Sequence, residues 1–168
     1  GAANVTSLFL YLAEHGLGLK AGPIPPPLLT PDLGLLHPEH EGFFTAPQQY
    51  LTWYRQSHPG RAGWPVVGLL LYRKHVITAQ PYIGELIRRF EEAELLPLPV
   101  FINGVEAHIA VRDWMTSASE LAGPAPGDGE RGAASRTAVP VEAIVSTIGF
   151  PLVGGPAGSM EAGRREEV

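Results

Sequence analysis

Three apolar runs alternate with segments of helical period in the second half of this chain, and that alternation constrains the fold more than any other feature. Pro65-Val-Val-Gly-Leu-Leu-Leu-Tyr72 is apolar throughout, as a strand covered on both faces must be. Leu98-Pro-Val-Phe-Ile102 and Val141-Glu-Ala-Ile-Val-Ser-Thr-Ile148 are the second and third runs. Between them, Tyr82 to Leu95 carries Ile83, Leu86, Ile87 and Phe90 on one stripe and Glu85, Arg88, Arg89, Glu91 and Glu92 opposite, which predicts a helix. Val105 to Ser117, with Ile109, Val111, Trp114 and Met115, predicts another. Strand, helix, strand, helix, strand requires right-handed crossovers, hence parallel pairing with helices on the sheet faces. The expected fold is a three-layer α/β sandwich with a mostly parallel sheet, flavodoxin-like or Rossmann-like, over residues 64–168.

Residues 1–63 read as an N-terminal helical and Pro-rich arm laid on that core. Asn4 to His15 has helical spacing and is stopped by Gly16 and Gly18. Ala21 to Pro31 holds Pro23, Pro25, Pro26, Pro27 and Pro31, so it is an extended connector. Leu33 to His37 predicts a brief strand. Thr45 is placed to cap a helix with Pro47 in its first turn and Tyr50, Leu51 and Tyr54 at helical spacing, ended by His58-Pro59-Gly60. Arg73 to Pro81 reads as a loop. Residues 120–139, rich in Gly, Pro, Ala and Ser without periodicity, read as a flexible insertion. Ser159 to Val168 reads as the first turns of a helix, and with no initiator Met the chain is expected to be an excised piece of something larger.

Composition excludes several classes. Zero Cys removes disulfide scaffolds and thiolate metal sites. The 20 Gly and 17 Pro show no Gly-X-Y period, so the chain is not collagen-like. The longest apolar run is far too short to cross a bilayer. A formal charge of −5 with scattered Arg argues against a nucleic-acid surface.

In open α/β sheets ligands bind beyond the carboxyl ends of the strands. Three loops leave those ends here, and they carry the candidate ligand-facing residues: Arg73, Lys74 and His75; Asn103 and Glu106; and Gly149, Phe150, Gly154 and Gly155. Arg73 and Lys74 suit a carboxylate or phosphate. His75 suits an acid, base or ligand role. Gly154-Gly155 lets backbone approach a ligand before a helix N-terminus. Each has a structural alternative: a salt bridge for Arg73, a loop hydrogen bond for His75, a helix-end preference for Glu106, tight packing for the glycines. There is no Walker A, no Gly-x-Gly-x-x-Gly and no Gly-x-Ser-x-Gly elbow. His37-Pro-Glu-His40 has no third partner at zinc spacing, so no metal ligand or catalytic residue is assigned. Tyr50, Trp53, Tyr54 and Trp64 are expected in core and interface.

Five strings then occur in one order: Gly34-Leu-Leu-His-Pro38, Tyr50-Leu-Thr-Trp-Tyr54, Val67-Gly-Leu-Leu-Leu-Tyr-Arg-Lys-His-Val-Ile-Thr78, Leu98-Pro-Val-Phe-Ile102 and Val145-Ser-Thr-Ile-Gly-Phe-Pro-Leu-Val-Gly-Gly-Pro-Ala157. Together they resemble the large porphyrin-binding H subunits of magnesium chelatase, kin to the large cobaltochelatase subunits. The Leu-Val-Gly-Gly-Pro-Ala ending favours the magnesium branch. The chain departs from the family pattern at Tyr72, Lys74, Pro151 and Gly158-Ser159-Met160, which marks a divergent branch. The resemblance implies an internal domain of a subunit that binds protoporphyrin IX, where Mg²⁺ is inserted on the way to chlorophyll or bacteriochlorophyll. It implies ATP hydrolysis on two AAA+ partners (the I and D subunits), contact with other domains of the same large subunit, and a plastid stroma or phototroph cytoplasm. The family's catalytic segments lie in a later region, so the fragment alone is expected to be inactive and to hold no cofactor of its own. Scaffolding, with a share in the porphyrin site, is the leading expectation. A pure interaction module is the alternative, and an independent α/β enzyme of phosphate-bearing ligands is the third.

Overall fold

The computed structural model describes residues 1–103, 107–116 and 138–149, with side chains beyond Asn103 described from Ala110 onward. Its elements in chain order are α1 (Ala2–Leu17), β1 (Leu33–Leu35), α2 (Pro47–Ser57), a single 3₁₀ turn at Pro59–Arg61, β2 (Val66–Tyr72), α3 (Arg73–Ile77), α4 (Tyr82–Glu92), β3 (Leu96–Ile102), α5 (Ala107–Trp114), β4 (Met115–Thr116), β5 (Val139–Pro140) and β6 (Ala143–Ser146).

The main sheet runs β1-β3-β2-β6. Strands β2, β3 and β6 are parallel, and β1 is antiparallel to β3. The expected mostly parallel sheet and three-layer α/β order are present. Strand alternation sends Leu69, Leu71 and Phe101 to one face, where Ile83 and Ile87 of α4 cover them. Leu70, Leu98, Val100 and Ile102 go to the other face, under Tyr50, Leu51 and Tyr54 of α2 and Ala110 and Met115. Residues before 64 therefore add to the same sheet an edge strand carrying buried Leu35 and four further core side chains, Phe44, Tyr50, Leu51 and Tyr54.

All seven residues of β3 are buried, two of them prolines. A central strand normally rejects proline, because each one deletes a ladder donor. The exception has a geometric reason here. The Leu96 N–H donates to the Pro65 carbonyl at 2.9 Å, so even-numbered β3 groups face β2 and odd-numbered ones face β1. Strand β1 pairs only with residues 100–102, so Pro97 and Pro99 lie where no β1 acceptor waits. Their carbonyls are still satisfied: Pro99 accepts from Leu36 N–H at 3.3 Å and Pro97 from the Tyr50 hydroxyl at 2.8 Å.

Several boundaries differ from expectation. The expected loop at Arg73–Pro81 begins as the short helix α3, with the Lys74 carbonyl accepting from the backbone and hydroxyl of Thr78. The second long strand starts at Leu96 rather than Leu98, for the reason just given. Ala46, not Thr45, is the N-cap of α2; Thr45 instead meets the Gln49 side chain through its N–H and hydroxyl. Helix α5 stops at Trp114, because Met115 and Thr116 pair with Val139 and Pro140. The third parallel strand is confined to Ala143–Ser146. Apart from Ala138 and Val139, the expected insertion lies outside the described residues, as does the expected final helix.

Gly34 and Gly68 are places where the sheet needs a missing side chain. A Cβ on Gly34 would stand 2.7 Å from the Phe101 ring and 3.2 Å from the Phe44 carbonyl. At Gly68 the intruded atom would be the Met115 sulfur, at 2.6 Å, which a flexible side chain can withdraw. Gly34→Ala is therefore expected to destabilise by roughly 1–3 kcal/mol. A urea titration checks this: the midpoint falls with unchanged slope, and Gly68→Ala costs less.

Candidate functional site

The register puts the outgoing ends of the parallel strands on one rim. Tyr72 pairs with Ile102, and Leu70 with Ser146, so Arg73, Asn103 and Gly149 all follow strand ends on the same side of the sheet. Strand β1 enters at that rim, because Leu33 pairs with Ile102, and it brings Asp32. Arg73 Nε donates to the Pro31 carbonyl at 2.7 Å, a terminal nitrogen donates to the Thr30 carbonyl, and Asp32 Oδ1 lies 3.5 Å away. Asn103 Nδ2 donates to the same Asp32 oxygen at 3.2 Å. The guanidinium expected to receive an anion is thus engaged by the connector.

His75 is half-buried and held edge-on between the rings of Tyr72 and Tyr82. Its Nδ1 is 2.9 Å from the Tyr82 hydroxyl, which lies 3.5 Å from Thr147 Oγ1. The Thr147 hydroxyl donates to the Leu70 carbonyl at 3.1 Å, so the start of α4, α3 and the exit of β6 are laced together. Lys74 and Gly149 are exposed. Glu106, Phe150, Gly154 and Gly155 lie outside the described residues.

A second polar centre, not assigned a role from the sequence, gathers around Glu91 of α4. Glu91 Oε1 accepts from the Tyr54 hydroxyl at 2.7 Å and from Arg61 at 2.8 Å. His37 Nε2 stands 3.5 Å from the same oxygen, and the His37 side chain is 1% exposed. The Glu39 N–H donates to His37 Nδ1 at 3.2 Å, so the neutral ring carries its proton on Nε2, facing Glu91. Glu39 Oε2 meets His58 Nε2 at 3.0 Å. The ring of His37 packs on Trp53, Tyr54 and His58. Burial lowers the His37 pKa below its ordinary value, against the pull of Glu91 and Glu39. Burial first, then the bond to Glu91, pushes Tyr54 up to about 12. The signal in the sequence was His37-Pro-Glu-His40, but imidazoles close along a chain do not say which carboxylate they meet in space. Among the described residues no three His, Asp or Glu side chains are placed to hold a metal ion.

Between the 36–43 loop and the α3–α4 junction lies an open cleft of about 440 Å³. Leu36, Pro38, Phe43, Val76 and Ile83 wall it, and His37, His40 and Gln80 are its polar residues.

The family model for CobN/magnesium chelatase matches residues 1–168. The chain belongs to the CobN/magnesium chelatase family. It is 29% identical over 162 residues to the magnesium-chelatase H subunit of Chlorobaculum parvum, covering 95% of this chain and 11% of that protein. It is 28% identical over 141 residues to the chloroplastic magnesium-chelatase subunit ChlH of Oryza sativa, covering 78% of this chain and 9% of that protein. With the magnesium-chelatase H subunit of Cereibacter sphaeroides it shares 27% identity over 147 residues, covering 86% of this chain and 10% of that protein. The chain thus spans about a tenth of the length of the curated relatives it matches. Two of the family-like strings meet in the Glu91 centre: Gly34-Leu-Leu-His-Pro38 supplies His37, and Tyr50-Leu-Thr-Trp-Tyr54 supplies the rings around it.

The lowered pKa of His37 sets a sign for acid sensitivity. The folded chain binds this proton less readily than the unfolded chain, whose imidazole titrates near 6.5. The stability tied to neutral His37 is complete above that pH and is lost as pH falls through it toward the lower folded value. Unfolding free energies between pH 8 and pH 5 are therefore expected to fall more steeply for the native sequence than for His37→Gln.

Proposed function

We propose that this domain is a scaffold within the large porphyrin-binding subunit of a magnesium chelatase, an ATP-dependent ligase that inserts Mg²⁺ into protoporphyrin IX for chlorophyll or bacteriochlorophyll synthesis. What supports the chelatase reading is the family match along residues 1–168 together with three relatives named as magnesium-chelatase H subunits. Those names also favour the magnesium branch over the cobalt one. The working assembly then includes the other domains of the large subunit and its two AAA+ partners, the I and D subunits, which hydrolyse ATP. Protoporphyrin IX and Mg²⁺ are its substrates. The host compartment is a chloroplast stroma or a bacterial cytoplasm, since relatives come from a chloroplast and from two bacteria. No helix among the described residues is long and apolar enough to cross a membrane.

One observation favours scaffolding over a porphyrin pocket built by this domain alone. A tetrapyrrole needs an apolar slot and cations for its two propionates, and the guanidinium of Arg73 is spent on Thr30, Pro31 and Asp32. The rim keeps exposed Lys74 and tethered His75 as the positions from which the domain reaches a porphyrin held mainly by other parts of the subunit. Asn103 and Gly149, which also follow strand ends there, belong to that proposed rim.

Protoporphyrin IX titration, read by tryptophan quenching and Soret shift, tests both halves. The 168-residue chain is expected to show no saturable binding at micromolar porphyrin. In the full-length subunit, Lys74→Ala is expected to weaken affinity by about 3–10-fold, the worth of one partly exposed charge-assisted contact. Saturable micromolar binding by the short chain, lost in Arg73→Ala, would replace the scaffold reading with a porphyrin site in this domain.

A further inference from the structure

Helix α1 has no buried residue. Val5, Leu8, Phe9 and Leu12 are 52, 55, 66 and 50% exposed. Their spacing of three and four residues gathers them into one stripe, about 100° wide, of the kind that normally faces a core. The residues that turn partly inward are Asn4, Ser7, Leu10 and Ala13. This helix points its larger apolar stripe away from its own domain.

Resting on the reading of this chain as part of a large chelatase subunit, we propose that this stripe is a permanent docking surface for another segment of that subunit, one that presents an uncharged apolar face. Three observations choose that occupant. First, Glu14 and His15 are the only titratable side chains besides Tyr11 in the 16 residues of α1, and both lie at its end. Transient interfaces keep a polar rim, whereas permanent ones resemble a domain core cut in half. Second, the matched stretch is only 9–11% of each relative, so in those proteins most of the polypeptide is available to cover it. Third, the stripe is held in place. Asn4 Oδ1 accepts from the Leu28 N–H at 2.7 Å and Asn4 Nδ2 donates to the Leu28 carbonyl at 2.9 Å, and Arg73 binds the same connector at Thr30 and Pro31. A pre-positioned helix loses little freedom on docking. Leu28 and Leu29, 68 and 88% exposed, extend the apolar surface beside its first turn. A membrane surface fits poorly, because α1 carries no Lys or Arg for anionic headgroups.

The test compares the 168-residue chain with the full-length polypeptide that its gene encodes. Hydrogen exchange of the α1 amides is read first in the native sequences: fast in the short chain, strongly slowed in the long one. Phe9→Glu is then paired with Thr6→Glu, which adds the same charge outside the stripe. Both are expected to leave the melting temperature of the short chain unchanged. In the long polypeptide Phe9→Glu lowers the melting temperature by several degrees and restores fast exchange, while Thr6→Glu does neither. Equally fast exchange in both native forms overturns the proposal. So does a short chain that sediments as a dimer until Phe9 is replaced, or one that co-sediments through Phe9 with phosphatidylcholine–phosphatidylserine vesicles.

Discussion

Strand β3 must be buried on both faces and along both edges at once, and the rest of the fold follows from meeting that demand. Its even-numbered groups are taken by the parallel ladder with β2. Its odd-numbered groups face a strand only three residues long, so most of that edge would have unmet donors in an ordinary sequence. Proline at positions 97 and 99 removes the donors, and Leu36 and the Tyr50 hydroxyl take up the carbonyls. A buried carbonyl left without its partner would cost about 1–3 kcal/mol. The side-chain bond from Tyr50 thus ties α2 to the sheet in a direction that apolar packing alone would leave free. It also explains why the hydroxyl of a fully buried tyrosine, its ionisation pushed up by that burial, is useful in the middle of a hydrophobic layer.

The polar residues fall into two centres at different places on this core. On the strand-exit rim, Asp32 gathers Arg73 and Asn103, joining the connector to two strand ends. Away from it, Glu91 gathers Tyr54, Arg61 and His37, joining α4, α2 and the turn after β1. In each case a single carboxylate collects donors from segments far apart in sequence. That is how an α/β layer with few charged residues fixes where its loops lie. In both centres the donors of Arg73, Asn103, Tyr54 and Arg61 go to acceptors within the chain, and His37 Nε2, 3.5 Å from Glu91, is the buried donor held without a hydrogen bond among the described residues.

The apolar runs and the 3.6-residue stripe on α4 made the parallel sheet and its helices legible, because both patterns record burial directly. The family-like strings made the kinship legible. Boundaries set by partners were not. Nothing local in Leu96-Pro97 announces a strand, since proline reads as a break until β1 is known to be short. Nothing local ends α5 at Trp114, because the competing partner, Val139, is 24 positions beyond Met115 along the chain. At the rim, the residue type of Arg73 was informative and its partner was not: an arginine after a strand meets an external anion or an internal carbonyl with equal chemistry. His37 is the converse, a residue whose near neighbour in sequence, His40, mattered less than Glu91, more than fifty positions on.

Arg73 joins the rim of the sheet to the outward-facing helix. Its hydrogen bonds hold residues 30 and 31, the connector continues to Leu28, and Leu28 holds Asn4 on the first turn of α1. A proline-rich connector is stiff but has no internal hydrogen bonds, so it carries direction only if both ends are pinned. Arg73 pins one end to the rim, and Asn4 pins the other to the helix. The cation that a strand-end motif would offer to a ligand is used instead to aim an apolar helix outward. If that helix docks on another part of the subunit, as proposed, the bonds of Arg73 to the connector serve to fix the direction in which it is presented.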